Sequence, residues 1–192
     1  GKTAAEGGAN PYNYGHIVEV KVGPDGKTTA TKHYAMGRLA YELGDVMPDR
    51  KTVYFGDDGD DVILAMFVAD KPEDLSAGTL YAAKWIQSSG ANFGAAKLEW
   101  IMLGHASNAE VKAIIDKGVK FSDIWETAEP DAVKSDPTKF ADFKPVYVYA
   151  GTGGKTALSY LKLKPGMEQA AAFLETRRYA AYLGATTEFT KM

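Results

Sequence analysis

Four carboxylates crowd into five positions at Asp57, Asp58, Asp60 and Asp61, between an apolar run ending at Phe55 and another opening at Val62. Like charges this close repel one another unless a cation or solvent neutralises them. A hard cation such as calcium takes about six to eight oxygen ligands, and a tight turn can offer carboxylates and carbonyls together. The spacing is not that of an EF-hand. Asp and Gly are also ordinary turn residues, so a solvated turn stands beside the metal site as a reading.

Three further groups of residues carry possible chemistry. Gly37 to Glu42 lies one strand before the acidic knot. If the two strands pair, Glu42 approaches the knot, a cation can bridge them and Arg38 can face an anion. A surface arginine and glutamate near a strand end is the plainer alternative. Arg177 and Arg178 are consecutive, and neighbours on a helix project about 100° apart. At most one of them then faces a site, and the other is solvated or paired with Glu175. The glycine-rich segment Ala150 to Thr156 invites a phosphate-loop reading, but Tyr149 stands where that pattern needs glycine and a strand follows, so a hairpin turn is expected. His16, His33 and His105 match no zinc spacing and are expected to be structural or exposed.

The elements that must position these groups are mostly strands. Gly15 to Val22 alternates with period two, Gly23-Pro24-Asp25-Gly26 is a turn, and Lys27 to Tyr34 returns, which predicts a hairpin. Further strands are expected at Thr52 to Phe55, Val62 to Val68, Thr79 to Ile86, Lys97 to Leu103, Val146 to Ala150 and Leu158 to Leu163. Ser107 and Glu110 form a capping box ahead of a short helix, and the run to Lys144 reads as a long surface loop, an insertion over about 106–144. Met167 to Leu183 has helical spacing closed by Gly184, which predicts one longer C-terminal helix.

Composition sets the outer limits. A chain of 192 residues with 45% hydrophobic content is on the order of one domain with a sizeable core. The net charge of -3 gives no sign of a nucleic-acid partner. No apolar run reaches the roughly 18 residues of a membrane helix. There is no cysteine, which excludes disulfides and thiolate chemistry. The chain opens on Gly1 rather than Met, and the expectation is a cut chain with further sequence beyond it.

Read in order, Asn10-Pro11-Tyr12, Gly15 to Val20, Ala35 to Glu42, Thr52 to Asp58 and Gly184-Ala185-Thr186 resemble the PhoX-type alkaline phosphatases. The resemblance implies a mainly β fold, a partial β-propeller spanning residues 1–192 as a single domain with a helical insertion. It implies a calcium and iron centre that binds a phosphate monoester, with export to the periplasm and removal of a leader. The rest of the propeller chain is then a partner. Carried over by residue, Glu42 and Asp58 become metal candidates and Lys191 a substrate-binding candidate; Asp57 joins the metal candidates from its place in the knot, and Arg38 and Arg177 join the substrate-binding candidates from their own positions. Tyr41 stands where the family typically has histidine, and a chain without cysteine supplies no thiolate to iron. The alternatives are a non-catalytic calcium-binding propeller module and a calcium-dependent ester or lactone hydrolase.

Overall fold

The computed structural model describes residues 8–149 and 155–189. The expected hairpin forms from β1 (Ile17–Val22) and β2 (Thr28–His33), paired antiparallel from Ile17 opposite His33 to Val22 opposite Thr28. Its apolar stripe does not face the core: Val18, Val20 and Val22 are more than half exposed, while Ile17 and Glu19 turn partly inward.

A five-stranded antiparallel sheet follows in chain order, β3 (Tyr41–Val46), β4 (Thr52–Asp57), β5 (Leu64–Lys71), β6 (Asp74–Ser89) and β7 (Ala95–Ser107). Successive side chains alternate between faces, so β4 sends Val53, Phe55 and Asp57 to the buried side while β5 sends Ala65, Phe67 and Ala69 there. The two apolar residues set the phase, and Asp57 is carried inward with them. β3 was not expected as a strand of this length; it is polar, exposed and bulged between Tyr41 and Gly44. Beyond Ala82, β6 pairs with β7 alone, and the two continue as a ribbon past the end of β5.

The segment expected as a surface insertion is stitched into the fold. Ser107 and Glu110 form the capping box of α1 (Asn108–Asp116), and α2 (Phe121–Ile124) leads into β8 (Trp125–Ala128) and α3 (Pro130–Ser135). Together with β9 (Lys144–Tyr149) and β10 (Thr156–Leu163), β8 makes a three-stranded sheet in the order β8-β10-β9. Ile124 and Trp125 are buried. A short amphipathic strand therefore anchors what polar composition alone reads as loop. β9 and β10 pair as a hairpin should, and the expected turn at 150–154 lies outside the described residues.

The single C-terminal helix is corrected to two. α4 (Glu168–Leu174) and α5 (Thr176–Tyr182) meet at Glu175, whose backbone leaves the helical region at φ -123° and ψ 41°. Thr176 explains part of the break: its hydroxyl donates to the Ala172 carbonyl (2.8 Å) and accepts from the Arg38 backbone N–H (3.0 Å). A side-chain hydroxyl that competes for helical carbonyls bends the helix. Ala170 to Leu174 are buried, and Gly104 of β7 lets the helix close in, since a Cβ there would stand 3.3 Å from Ala172 and Phe173. The described residues are thus mainly β in several antiparallel sheets without a closed barrel.

Candidate anion-binding site

The segment 38–40 that leads into β3, the end of β9 and the α4–α5 joint converge on one hollow of about 220 Å³. Arg38, Arg177, Arg178, Glu175, Thr176 and Tyr149 line it, with Gly15, Leu39, Ala40 and Leu174. That volume is below the range of roughly 300–1,000 Å³ typical of drug-sized ligands and suits a small anion.

Each arginine is held differently. Arg177 is claimed by Asp57: its Nε donates to one carboxylate oxygen (2.6 Å), its Nη2 to the other, and its Nη1 to the Tyr149 carbonyl (2.8 Å). Asp57 is fully buried and also accepts from the Ala40 N–H (3.1 Å). A buried carboxylate in phase with Val53 and Phe55 needs a counter-charge, and the bidentate guanidinium supplies it. Arg178 donates through Nη1 to Glu175 Oε2 (2.7 Å), and Glu175 Oε1 accepts from the Tyr12 hydroxyl (2.9 Å). Arg38 lies over the Tyr12 ring (5.4 Å) and donates from Nε to the carbonyls of Tyr14 (3.1 Å) and Pro11 (3.3 Å).

The electrostatic result is a site with one positive charge in excess. Three guanidiniums line the hollow, Asp57 offsets Arg177, and Glu175 offsets Arg178. Among the described residues Arg38 bonds only to neutral carbonyls, which leave its charge standing. A larger hollow of about 460 Å³ between β1, β3 and the β5–β6 turn lacks this excess, because Lys21 pairs with Glu19 and Arg50 with Glu73.

Gly37 makes the approach of Arg38 possible. It has φ +88°, and a Cβ there would lie 2.8 Å from both Leu80 and the Thr176 hydroxyl. His16 ties the same two segments together, with ring nitrogens 3.0 Å from the carbonyls of Gly37 and Tyr12. Burial lowers its pKa, the two carbonyls oppose that shift, and the charges of Arg38 and Lys32 add to the lowering.

Of the residues singled out from sequence, Arg38 and Arg177 meet in this hollow. Asp57 is present behind it, with both oxygens engaged by Arg177. The strands carrying Glu42 and the knot do pair, Tyr41 opposite Asp57, but Glu42 falls in the β3 bulge and is exposed, as is Asp58. Asp61 accepts from the Thr156 hydroxyl (2.6 Å), so the knot disperses its charges in different directions. Lys191 lies outside the described residues. Among the described residues no three His, Asp or Glu side chains converge to hold a metal. Arg178 and Glu175 were set aside as site residues because consecutive arginines on a helix diverge; they do pair with each other, and both still line the hollow at the first turn of α5.

The family model described as alkaline phosphatase PhoX matches residues 3–189, and the chain belongs to that family. No curated protein and no solved structure matches it.

The Tyr12–Glu175 bond has a consequence for pH. Burial first, then the Glu175 charge and hydrogen bond, push the Tyr12 phenol far above its ordinary value. A group whose pKa is raised on folding contributes stability that is complete below the unfolded value of about 10 and is lost as pH rises above it. Denaturation midpoints are therefore expected to fall above about pH 10, and Tyr12→Phe is expected to flatten that fall; an unchanged alkaline limb in the variant rejects the assignment.

Proposed function

We propose that this chain is a phosphomonoester hydrolase of the PhoX type in which the hollow between the segment 38–40, the end of β9 and the α4–α5 joint receives the phosphoryl group. The observation that carries the reading is the uncompensated guanidinium of Arg38 in a small hollow lined by two further arginines. Planar guanidinium groups bind phosphoryl oxygens through paired N–H donors. Arg38 and Arg178 have guanidinium nitrogens beyond those in the bonds described above, whereas Arg177 has all three of its nitrogens engaged by Asp57 and Tyr149. In the reaction Arg38 and Arg178 fix the phosphoryl oxygens and offset the charge that builds on them in the transition state. Arg177 holds the floor of the site, and Lys191 remains a further candidate for the same oxygens.

The family is metal-dependent, and calcium is the proposed metal. Its fit to the described residues is incomplete. Asp57 is committed to Arg177, and the exposed carboxylates of Glu42 and Asp58 fall short of the six to eight oxygens that calcium takes. Iron has no thiolate partner in a chain without cysteine. A partial propeller architecture and a periplasmic or secreted location complete the proposal; both rest on family membership, and the antiparallel sheets are compatible with the first.

The test compares turnover of an aryl phosphate with that of the corresponding aryl ester by the full chain, with calcium and after chelation. Calcium-stimulated release from the phosphate alone is expected. Turnover of the ester alone favours the esterase alternative, and turnover of neither with calcium still bound favours a binding module.

A further inference from the structure

We propose that Glu175 makes the arginine hollow selective for oxyanions that carry a proton, such as inorganic phosphate, over oxyanions of similar shape that carry none, such as sulfate. This rests on the hollow being the phosphoryl site. A site built only to attract anions would be lined by cations and neutral donors. This one includes a carboxylate on the lining, with its side chain only 6% exposed. Two donors hold it in position, the Tyr12 hydroxyl at Oε1 (2.9 Å) and Arg178 Nη1 at Oε2 (2.7 Å).

The chemistry follows from what an ionised carboxylate can do. It accepts hydrogen bonds and donates none, and its two oxygens together offer about four lone-pair sites. Tyr12 and Arg178 occupy one site on each oxygen, so acceptor capacity remains. A P–OH group placed against it donates a hydrogen bond to a charged acceptor, which is among the stronger bonds available. An oxyanion with no proton brings lone pairs against lone pairs in a poorly hydrated place, where repulsion is weakly screened. Attraction by Arg38 is common to both anions and does not discriminate between them. Discrimination is thus assigned to Glu175 and affinity to Arg38. Inorganic phosphate keeps a hydroxyl at alkaline pH, whereas a phosphate monoester loses its proton near pH 6. The reaction product is then held more tightly than the substrate under alkaline conditions.

A merely structural Glu175, present only to hold Arg178, predicts the opposite response to substitution: its loss would weaken every anion alike. The experiment is calorimetric titration of the full chain at pH 8 with sodium phosphate, arsenate and sulfate. Phosphate and arsenate are expected to bind about tenfold or more tighter than sulfate, within the roughly 5- to 150-fold that leaving a buried polar group unmatched costs. Glu175→Gln is expected to raise sulfate affinity and bring the three within about threefold of one another. Equal binding of phosphate and sulfate by the unsubstituted chain, or a variant that weakens both together, overturns the assignment. Should the variant fail to fold, methyl phosphate titrated against sulfate at pH 5 and pH 8 decides. The ratio of the two affinities is expected to shift toward methyl phosphate at pH 5, where the ester carries its proton, and a constant ratio overturns the proposal. The two readings separate through Arg38→Ala. If that variant loses both anions while the unsubstituted chain does not discriminate, the site stands and the selectivity fails. If neither anion binds the unsubstituted chain, or both bind undiminished to the variant, the site itself fails and the selectivity with it.

Discussion

Asp57→Asn is expected to destabilise the protein by about 3–5 kcal/mol, the usual consequence of stripping one partner from a buried ion pair. The substitution barely changes volume, so cavity formation contributes little. What it removes is the charge that receives two donors of Arg177, whose side chain is 14% exposed. An amide has one carbonyl oxygen, and the second contact would set an N–H against a guanidinium. Chemical denaturation provides the measurement, run with calcium and again after chelation. Were Asp57 chiefly a calcium ligand, the loss would vanish in chelator; as the counter-ion of Arg177 it persists. A cost under about 1 kcal/mol in both conditions would reject the buried pair as a stabilising unit. The double variant Asp57→Leu, Arg177→Met is expected to recover much of the loss, because a dry apolar pair of similar bulk avoids the desolvation that the ions incur.

Arg38→Ala is expected to lower kcat/KM for an aryl phosphate by about 10- to 150-fold, the effect of losing one hydrogen-bonded charge worth about 1.5–3 kcal/mol. The competitive inhibition constant of inorganic phosphate should rise in step. Arg38→Lys is expected to fall between the two. A lysine keeps the charge but not the Nε–H shared between the Pro11 and Tyr14 carbonyls, nor the planar group that lies against the Tyr12 ring. A change below about threefold in the alanine variant, with the fold intact, would remove Arg38 from the phosphate site.

The local grammar of the chain was readable where one signal dominated. The β1–β2 hairpin follows from alternation flanking Gly23-Pro24-Asp25-Gly26, and α1 follows from Ser107 and Glu110. Expectation failed where tertiary contacts outweighed composition. β3 carries glycine and charge on an exposed edge with a bulge, and β8 is four residues between two short helices, so neither offers enough periodicity to stand out. The alanine-rich run from Met167 to Leu183 looks uniform, and nothing local marks Glu175 as the break, because its partners Tyr12 and Thr176's partner Arg38 are distant in sequence.

The site divides the same way. Arg38 and Arg177 were found because arginines after glycine and on a helix face are conspicuous, but their pairing with carbonyls and with Asp57 is invisible in one dimension. One signal for Asp57 was available: it keeps step with Val53 and Phe55, and an acid in phase with two core residues points inward. Asp57 was instead grouped with Asp58 as a metal candidate, whereas Asp57 ends a strand with its carboxylate on Arg177, and Asp61, at φ 55°, begins a turn toward Thr156.

The joint between α4 and α5 behaves as a hinge fastened on both sides. Swinging α5 away from α4 would have to part Glu175 from Tyr12 and Arg177 from Asp57 together, one contact on the N-terminal segment and one on the sheet. The orientation of two adjacent arginines is thereby made a property of three distant parts of the chain. The bonds of Arg177 to the Tyr149 carbonyl and of the Thr176 hydroxyl to the Arg38 N–H add to these two, so no single contact sets the aim of the guanidiniums.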